Sequence, residues 1–393
     1  YGRNGTIPTV NIAGYNGLGA SNVNWNNFNR LFNFKDDFSK FMGRHNLKLG
    51  ILILRSRKNQ DNWPSVNGTI SYATGHSNST GNAFGDALLG NFSQYTEADT
   101  NREGWYRFTQ SEQYIQDDWK VNQRLTVNLG FRYMYMQPQH CALQNCVMFS
   151  PSFYDPTKAP TVSTSNGALV AGTGDPYNGL VLGGTGFSEA AKQRIAIASD
   201  PKVLALFRGI PMETANKYWA TWGPRLGFAY DLTGKQNTVV RGGYGVFYER
   251  VEGNFIFSAI NNPPFISQSD VYDGNIESPT GGTTRSFPAG LSNSHPVDMK
   301  VPRVMNWSLG VQHKLDAQTT LDLAYVGSSA ANLSRTLNLN QLQAGTLQKN
   351  PGVNTNALRP YLGYANINWY VTGANSIYNS LQVQGKKIGR AHV

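Results

Sequence analysis

The residue types that most often carry out chemistry are sparse and scattered in this sequence. No H-E-x-x-H zinc motif, G-x-S-x-G nucleophile motif or Walker phosphate loop occurs. Asp117 and Asp118 are adjacent, so in a strand their carboxylates point to opposite faces and do not act as a pair. The histidines are dispersed: His45, His76, His140, His295, His313 and His392. The sequence therefore predicts a protein that is not an enzyme and that uses no cofactor or metal.

The two cysteines, Cys141 and Cys146, form a C-x4-C pair within an irregular stretch. A zinc site needs more ligands than this pair supplies, and no pair of histidines lies near it. The spacing suits a small loop disulfide in an oxidising compartment. We therefore expect Cys141 and Cys146 to be joined.

The composition indicates a β-rich chain with long polar loops. Of the 393 residues, 15% are charged, against about 25% in an average soluble domain. No apolar run reaches the roughly 18 residues of a membrane-spanning helix, which excludes a helical membrane protein. The 12% of aromatic residues argues against disorder, and the abundance of glycine excludes a coiled coil.

The formal net charge of +10 raises the question of nucleic-acid binding. The lysines and arginines are scattered, however, and no long block of them occurs. The pattern favours solvated loops and strand ends, so we expect no nucleic acid as a partner. Binding of an anionic ligand or of lipopolysaccharide phosphate is the alternative that stays open.

Hydrophobicity alternates with period two, most clearly from Arg124 to Met136. Because successive side chains of a strand point to opposite sides, the segment predicts one apolar and one polar face. The same split recurs in three later segments. We expect the apolar, lipid-facing set to be Leu125, Val127, Leu129, Phe131, Leu226, Phe228, Trp307, Leu309, Val311, Leu321 and Leu323. We expect the lumen-facing set to be Asn128, Gly130, Arg132, Gly227, Ser308, Gly310 and Gln312, a polar face with few charges.

Short turns and long segments are predicted to alternate along the chain. The short turns are Met42–Asn46, Val121–Arg124, Thr233–Asn237 and Leu315–Thr319. The long segments are Asn59–Asn101, Gln137–Asn216, Val251–Pro302 and Ala330–Ala365. This alternation is typical of an outer-membrane barrel, and tyrosines and tryptophans crowd toward the strand ends, as at a membrane interface. A soluble antiparallel sandwich also alternates, so the pattern alone leaves that fold open.

A Leu-Gly pair recurs with the glycine on the polar face, at Gly50, Gly130, Gly227 and Gly310. Glycine inside a strand often marks a close approach by other backbone. Two interpretations stay open. The glycines make room for something that fills a lumen, or they relieve the curvature of a barrel.

The segment Tyr114–Tyr133, a strand, a short turn and a second strand, resembles the signature of TonB-dependent receptors. The closest group is the large Oar-like one. Further segments that match this group in order are Phe34–Phe38, Asn82–Gly90, Pro224–Asp231, Arg241–Tyr248, Asn306–Gln312, Leu323–Ser328 and Tyr378–Val383. Singly these matches are weak, but together they cover nearly the whole chain.

The resemblance implies an all-β fold, an antiparallel transmembrane β-barrel of the bacterial outer membrane. The family's barrel has 22 strands and is closed by an N-terminal plug; about a dozen strand candidates occur here, which implies an incomplete barrel. Residues 1–387 are expected to be barrel. Residues 388–393 break the strand pattern and are expected to be a non-native tail.

The resemblance also implies uptake, or occasionally export, of a bulky solute such as an oligosaccharide, peptide or protein, with energy from the inner membrane. The implied partners are outer-membrane lipid, lipopolysaccharide and, through a plug, the TonB complex. Three alternatives remain: a surface adhesin or other ligand-binding β-protein, a passive porin-like pore, and an enzyme on a β scaffold, which the missing motifs disfavour.

Overall fold

The computed structural model describes residues 8–19, 26–62, 67–98, 102–266 and 268–387. The all-β prediction is confirmed, since 51% of the structure is strand and 11% is helix. The expected tail, residues 388–393, lies outside the described residues, so the division of the chain at residue 387 stays a prediction.

The described residues form strands of very different length. In chain order they are β1 (Thr9–Ile12), β2 (Asn26–Met42), β3 (His45–Asn62), β4 (Thr69–Tyr72), β5 (Asn91–Ala98), β6 (Arg102–Lys120), β7 (Leu125–Met136), β8 (His140–Cys141), β9 (Val147–Phe149), β10 (Leu180–Leu182), β11 (Trp222–Asp231), β12 (Thr238–Tyr248), β13 (Gln268–Asn275), β14 (Thr283–Thr284), β15 (Ala289–Ser294), β16 (Arg303–Lys314), β17 (Thr319–Asn338) and β18 (Tyr364–Lys387).

The helices are short and lie in the long connections. They are α1 (Ala83–Leu89), α2 (Glu189–Lys192), α3 (Pro201–Leu204), α4 (Asn254–Phe257) and α5 (Thr346–Lys349). Single turns of 3-10 helix occur at Pro151–Phe153, Pro156–Lys158, Ser258–Asn261, Pro279–Gly281 and Thr355–Leu358.

The long strands form one sheet in the order β2-β3-β6-β7-β11-β12-β16-β17-β18. Each pairs antiparallel with the next long strand of the chain. Two further strands complete the 11-stranded sheet: β8 pairs with β6, and β15 runs parallel along β18. About a dozen strands were predicted from the sequence, against the 11 strands of this sheet.

The predicted alternation of turns and long segments is present in the structure. At one end of the sheet, residues 43–44, 121–124, 232–237 and 315–318 connect the strands in short turns. At the other end lie the long segments 63–101, 137–221, 249–302 and 339–363. All hairpin turns therefore lie at one end and all long segments at the other.

Two predicted loop boundaries were wrong. β3 continues to Asn62 and β17 continues to Asn338, so the predicted loops Asn59–Asn101 and Ala330–Ala365 both begin inside strands. Strand pairing uses backbone hydrogen bonds, so it continues after the apolar alternation has ended. For this reason the polar ends of both strands read as loop.

The sheet is open: β2 lies at one edge, and at the other edge the short strand β15 pairs only with the first residues of β18, Tyr364 to Trp369. Nine alternating strands run from one edge to the other, so β2 and β18 run in the same direction. Joining them directly would create a parallel pair, whereas bacterial outer-membrane barrels close with an even number of antiparallel strands.

The long segments are not irregular loops. Pieces of two of them, 63–101 and 249–302, together with β1, form a five-stranded sheet in the order β1-β4-β5-β13-β14. A hydrophobic core that includes Phe149, Leu180 and Leu206 is buried between other segments. We refer to these packed segments, from residues 63–101, 137–221, 249–302 and 339–363, as the loop assembly.

Candidate functional site

The strand register sorts the predicted residues onto two faces of the long sheet. Leu129 lies opposite Leu226, and Asn128 lies opposite Gly227. Directly opposed residues on neighbouring strands point to the same side. We call the two sides the Leu129 face and the Asn128 face.

Every residue predicted to face lipid falls on the Leu129 face, and every residue predicted to face a lumen falls on the Asn128 face. The rows of opposed residues connect β7 to β17 without a change of face. The register therefore brings each predicted set together. Which set meets lipid stays a prediction.

The Leu129 face exposes large apolar side chains. Leu309 is 54% exposed and Leu226 is 52% exposed, and on β2 the exposed fraction of Phe34 reaches 60%. Soluble monomers rarely expose a contiguous apolar surface of this extent. On β6 this face carries polar residues at Ser111 and Gln113, an interruption that the apolar alternation did not predict.

Aromatic rings lie near both ends of the Leu129 face. Near the short turns, Trp119 stacks on His45 with ring centroids 5.3 Å apart. Toward the loop assembly, Tyr133 packs on Trp222 at 4.4 Å. Since Trp119 lies opposite Val127, the two aromatic groups are six residues apart along β7, which is about 20 Å of strand. At the strand tilt of about 40° found in membrane barrels, that length spans about 15 Å of membrane height, less than the roughly 25 Å apolar band.

The Asn128 face carries paired charges, and for this face the expectation of few charges was wrong. Asp118 accepts hydrogen bonds from Lys48 (2.8 Å), Asn128 (2.7 Å) and Gln116 (2.9 Å). These groups come from three neighbouring strands. Because each charge has a partner, the face is polar without an unpaired ion at this point.

A second part of the same network lies further along the strands. Arg132 is ion-paired with Glu112, and its guanidinium lies over the Tyr114 ring at 5.1 Å. Tyr114 donates a hydrogen bond of 2.8 Å to Asp37 on β2. Of these residues, only Arg132 was predicted from the sequence to be lumen-facing. β6 carries polar residues on both of its faces, so alternation gave no signal for Glu112 or Tyr114.

The recurrent glycines on the Asn128 face differ from one another. A side-chain carbon at Gly50 would lie 2.6 Å from the Tyr114 ring, so this glycine makes room for the tyrosine. The same carbon at Gly310 would lie 3.1 Å from Cβ of Ala324. Gly130 and Gly227 leave ordinary space, at 3.4 and 3.6 Å from their nearest neighbours. The Tyr114 ring on the neighbouring strand β6 thus explains why position 50 is a glycine.

The loop assembly packs against the far end of the Asn128 face. Tyr106 is fully buried there and donates a 2.7 Å hydrogen bond to the backbone oxygen of Phe257. The guanidinium of Arg250 lies over the Phe108 ring at 3.5 Å. Met134, on the next strand, is also buried. The long segments thus cover this end of the face.

The structure joins the Sγ atoms of Cys141 and Cys146 in a disulfide. Both residues are buried in a core with Tyr106 and Met148. Cys141 also lies opposite Tyr106 in the register of β8 and β6. The disulfide therefore closes the turn between β8 and β9, and β8 itself pairs with the end of β6.

His295 is buried in the loop assembly. Its Nε2 contacts the Thr214 hydroxyl at 3.2 Å, and its ring packs on Phe255 at 4.5 Å. Burial disfavours the charged imidazolium and lowers the pKa of His295 to about 4. Phe255 in turn contacts Tyr370 on β18 at 4.8 Å, so the histidine helps attach the assembly to the sheet edge.

Within the described ranges, no group of three or more histidine, cysteine or acidic side chains is placed to hold a metal ion. Among the same residues, no helix has the length and apolar character needed to cross a membrane.

Comparisons with known proteins point to one family. The family model described as "Outer membrane beta barrel domain" matches residues 2–389. The search of curated proteins returned no match to this sequence.

Several solved structures resemble the chain at low sequence identity. The outer membrane transporter YddB from Escherichia coli is 13% identical, with a TM-score of 0.46; the match covers 93% of this chain and 31% of that one. The siderophore receptor PirA from Acinetobacter baumannii is 12% identical, with a TM-score of 0.42 and coverages of 96% and 37%. The ferric enterobactin receptor PfeA from Pseudomonas aeruginosa is 10% identical, with a TM-score of 0.41 and coverages of 96% and 36%. The chain spans about a third of the length of each of these proteins.

Proposed function

We propose that this chain is the barrel part of a TonB-dependent receptor of the Oar-like group. The basis is that the chain belongs to the outer membrane beta-barrel domain family and is a protein of the bacterial outer membrane. In this proposal the whole protein moves or binds a bulky solute with energy from the inner membrane. Its partners are the TonB complex, through a plug, and the lipids and lipopolysaccharide around the barrel. The domain assignment of residues 1–387 belongs to the same proposal.

The observation that carries the proposal is the contrast between the two faces of one sheet. From β7 to β17 the Leu129 face is largely apolar, exposed and bordered by aromatic rings, as a lipid-contacting surface is. The Asn128 face carries the Lys48–Asp118 ion pair and its hydrogen bonds, which suit a water-filled interior. We therefore assign the Leu129 face to lipid and the Asn128 face to the lumen.

The covered end of the Asn128 face favours a gated transporter over a passive pore. The loop assembly buries Tyr106 and Phe108 there, so it covers the part of the lumen wall that lies at the mouth. A passive pore needs a water-filled path at the same place. The surface adhesin remains the second candidate, because a large folded loop assembly also suits a binding surface.

Two measurements on the full-length protein separate these functions. The first is swelling of liposomes that contain the protein, in maltose and in longer maltodextrins. A gated transporter gives no swelling, whereas a passive pore admits the smaller sugars. The second is binding of the periplasmic domain of TonB. Binding without swelling supports the proposal, swelling supports the pore, and the absence of both supports the adhesin.

A further inference from the structure

Four basic residues form a single row across four neighbouring strands. Arg30 on β2 lies opposite Arg57 on β3, and Arg57 lies opposite Arg107 on β6. Arg107 in turn lies opposite His140 on β8. We call these residues, with Arg55 beside them, the basic row. Like charges that are directly opposed destabilise a sheet, so the row calls for negative charge close by.

The described part of the protein does not supply that charge. Arg30, Arg55 and Arg57 form no ion pair with a described residue. The guanidinium of Arg107 donates hydrogen bonds of 2.8 to 3.0 Å to neutral oxygens.

Two carboxylates near the row, Glu103 and Glu213, have other partners. Glu103, further along β6, is paired with Arg194 at 2.7 Å. The negative charge of Glu213 favours the protonated form of His140. Glu213 also accepts a 3.0 Å hydrogen bond from Gln137 and lies 3.9 Å from Lys217. Neither acid neutralises the arginines of β3.

An open cavity of about 470 Å³ lies along the basic row. This volume is in the range of small-molecule sites. The polar residues that line it are Arg55, Arg57, Arg107, Thr109, Gln137 and His140. Arginine is well suited to phosphate, because its planar fork donates two parallel hydrogen bonds to two oxygens.

The position of the row indicates the kind of molecule that carries the phosphate. Arg55 and Arg57 lie on the Leu129 face, at the end toward the loop assembly. At every second position below them on β3 are Ile53, Ile51 and Leu49, and Leu49 is 40% exposed. Cationic groups above an apolar stripe match an amphiphile with an anionic head and acyl chains.

We propose that the basic row binds a phosphate group of an outer-leaflet glycolipid, with the acyl chains along the apolar stripe of β3. The inference rests on the proposed function, since it needs the Leu129 face to lie against the membrane. It adds the site itself: Arg55, Arg57 and Arg107 hold the phosphate, and His140 closes the row.

The test uses the full-length protein in detergent micelles and a diphosphorylated lipid A as the probe. We expect Arg55→Gln/Arg57→Gln to weaken binding about thirtyfold, since each arginine near an anionic membrane surface contributes a factor of about five. Both side chains are exposed. The matched control is Arg335→Gln/Lys349→Gln, which removes two exposed charges away from the row.

Each of the following outcomes would overturn the proposed phosphate site or its lipid ligand. Equal binding by the double variant and the control overturns the site. Equal binding of dephosphorylated lipid A shows that phosphate is not recognised, which also overturns it. Displacement of the lipid by millimolar inorganic phosphate identifies a free anion as the ligand and overturns the lipid source. Failure of the face assignment, on which the site rests, is seen separately as equal stability costs of Leu129→Arg and Asn128→Arg, and failure of the proposed function is seen in the swelling and TonB-binding measurements.

Discussion

Gly50 and Tyr114 lie directly opposite each other on β3 and β6, and the tyrosine ring occupies the space that a side chain at position 50 would need. The hydroxyl of Tyr114 then reaches Asp37 on β2 at 2.8 Å. One glycine thus allows a ring to cross a strand, so that polar groups of three strands are connected on the Asn128 face.

We expect Gly50→Val to destabilise the folded protein by about 1–3 kcal/mol, because the added side chain overpacks against the Tyr114 ring. The matched control is Gly385→Val on β18, where no heavy atom lies within 4 Å of the added carbon. The control should be neutral or stabilising, since valine favours strands. The measurement is the urea midpoint of the full-length protein, and equal midpoints for both variants would contradict the role of Gly50.

We expect Leu129→Arg to cost about 2–4 kcal/mol in the full-length protein, because the charge would lie at the depth of the lipid chains. Asn128→Arg, one position along the same strand, should cost much less, because its side chain points into the polar face. The free energy of unfolding in lipid vesicles measures both. Equal costs would show that the assignment of the two faces to lipid and lumen is wrong.

We expect Cys141 and Cys146 to be oxidised in the cell, because reducing conditions are not maintained outside the inner membrane. Both residues are buried, so the labelling must be done after denaturation. Alkylation of unreduced, denatured protein should modify neither cysteine, and reduction beforehand should allow both to be modified. Modification of both cysteines without reductant would refute the disulfide.

We expect residues 1–393 expressed alone to aggregate. The edges β2 and β18 run in the same direction and leave unpaired backbone groups, each of which costs several kcal/mol in hydrocarbon. The full-length protein should instead give a heat-modifiable band on a denaturing gel. If residues 1–393 refold in detergent into a heat-modifiable, protease-resistant species, the chain forms a small pore by itself.

We expect the loop assembly to lose stability as the pH falls from about 6.5 to about 4. The pKa of folded His295 is about 4, below that of the unfolded residue, so the unfolded state takes up the proton first. Its contribution is complete above pH 6.5, and the loss approaches about 3 kcal/mol near pH 4. Hydrogen exchange of peptides from the assembly, corrected for intrinsic rates, measures it. His295→Gln should remove this dependence, and an unchanged pH profile would contradict it.

The sequence by itself determined the fold class and the two faces. Alternation with period two is a local property of a strand, so Leu129 and Asn128 were assigned to opposite sides without knowledge of any neighbour. Short turns are local as well, and for this reason the hairpins were placed correctly. A family resemblance carried by strand and turn residues rests on the same local signals.

The tertiary structure decided which residues of different strands meet. The opposition of Arg57 to Arg107 and of Gly50 to Tyr114 depends on register, which no single segment encodes. The loop assembly formed cores such as that around Phe149 because distant polar segments each contributed a few apolar residues. Burial of this kind is cooperative between remote parts of the chain, so only the folded molecule shows where the loops end, what covers the lumen and where the basic charges gather.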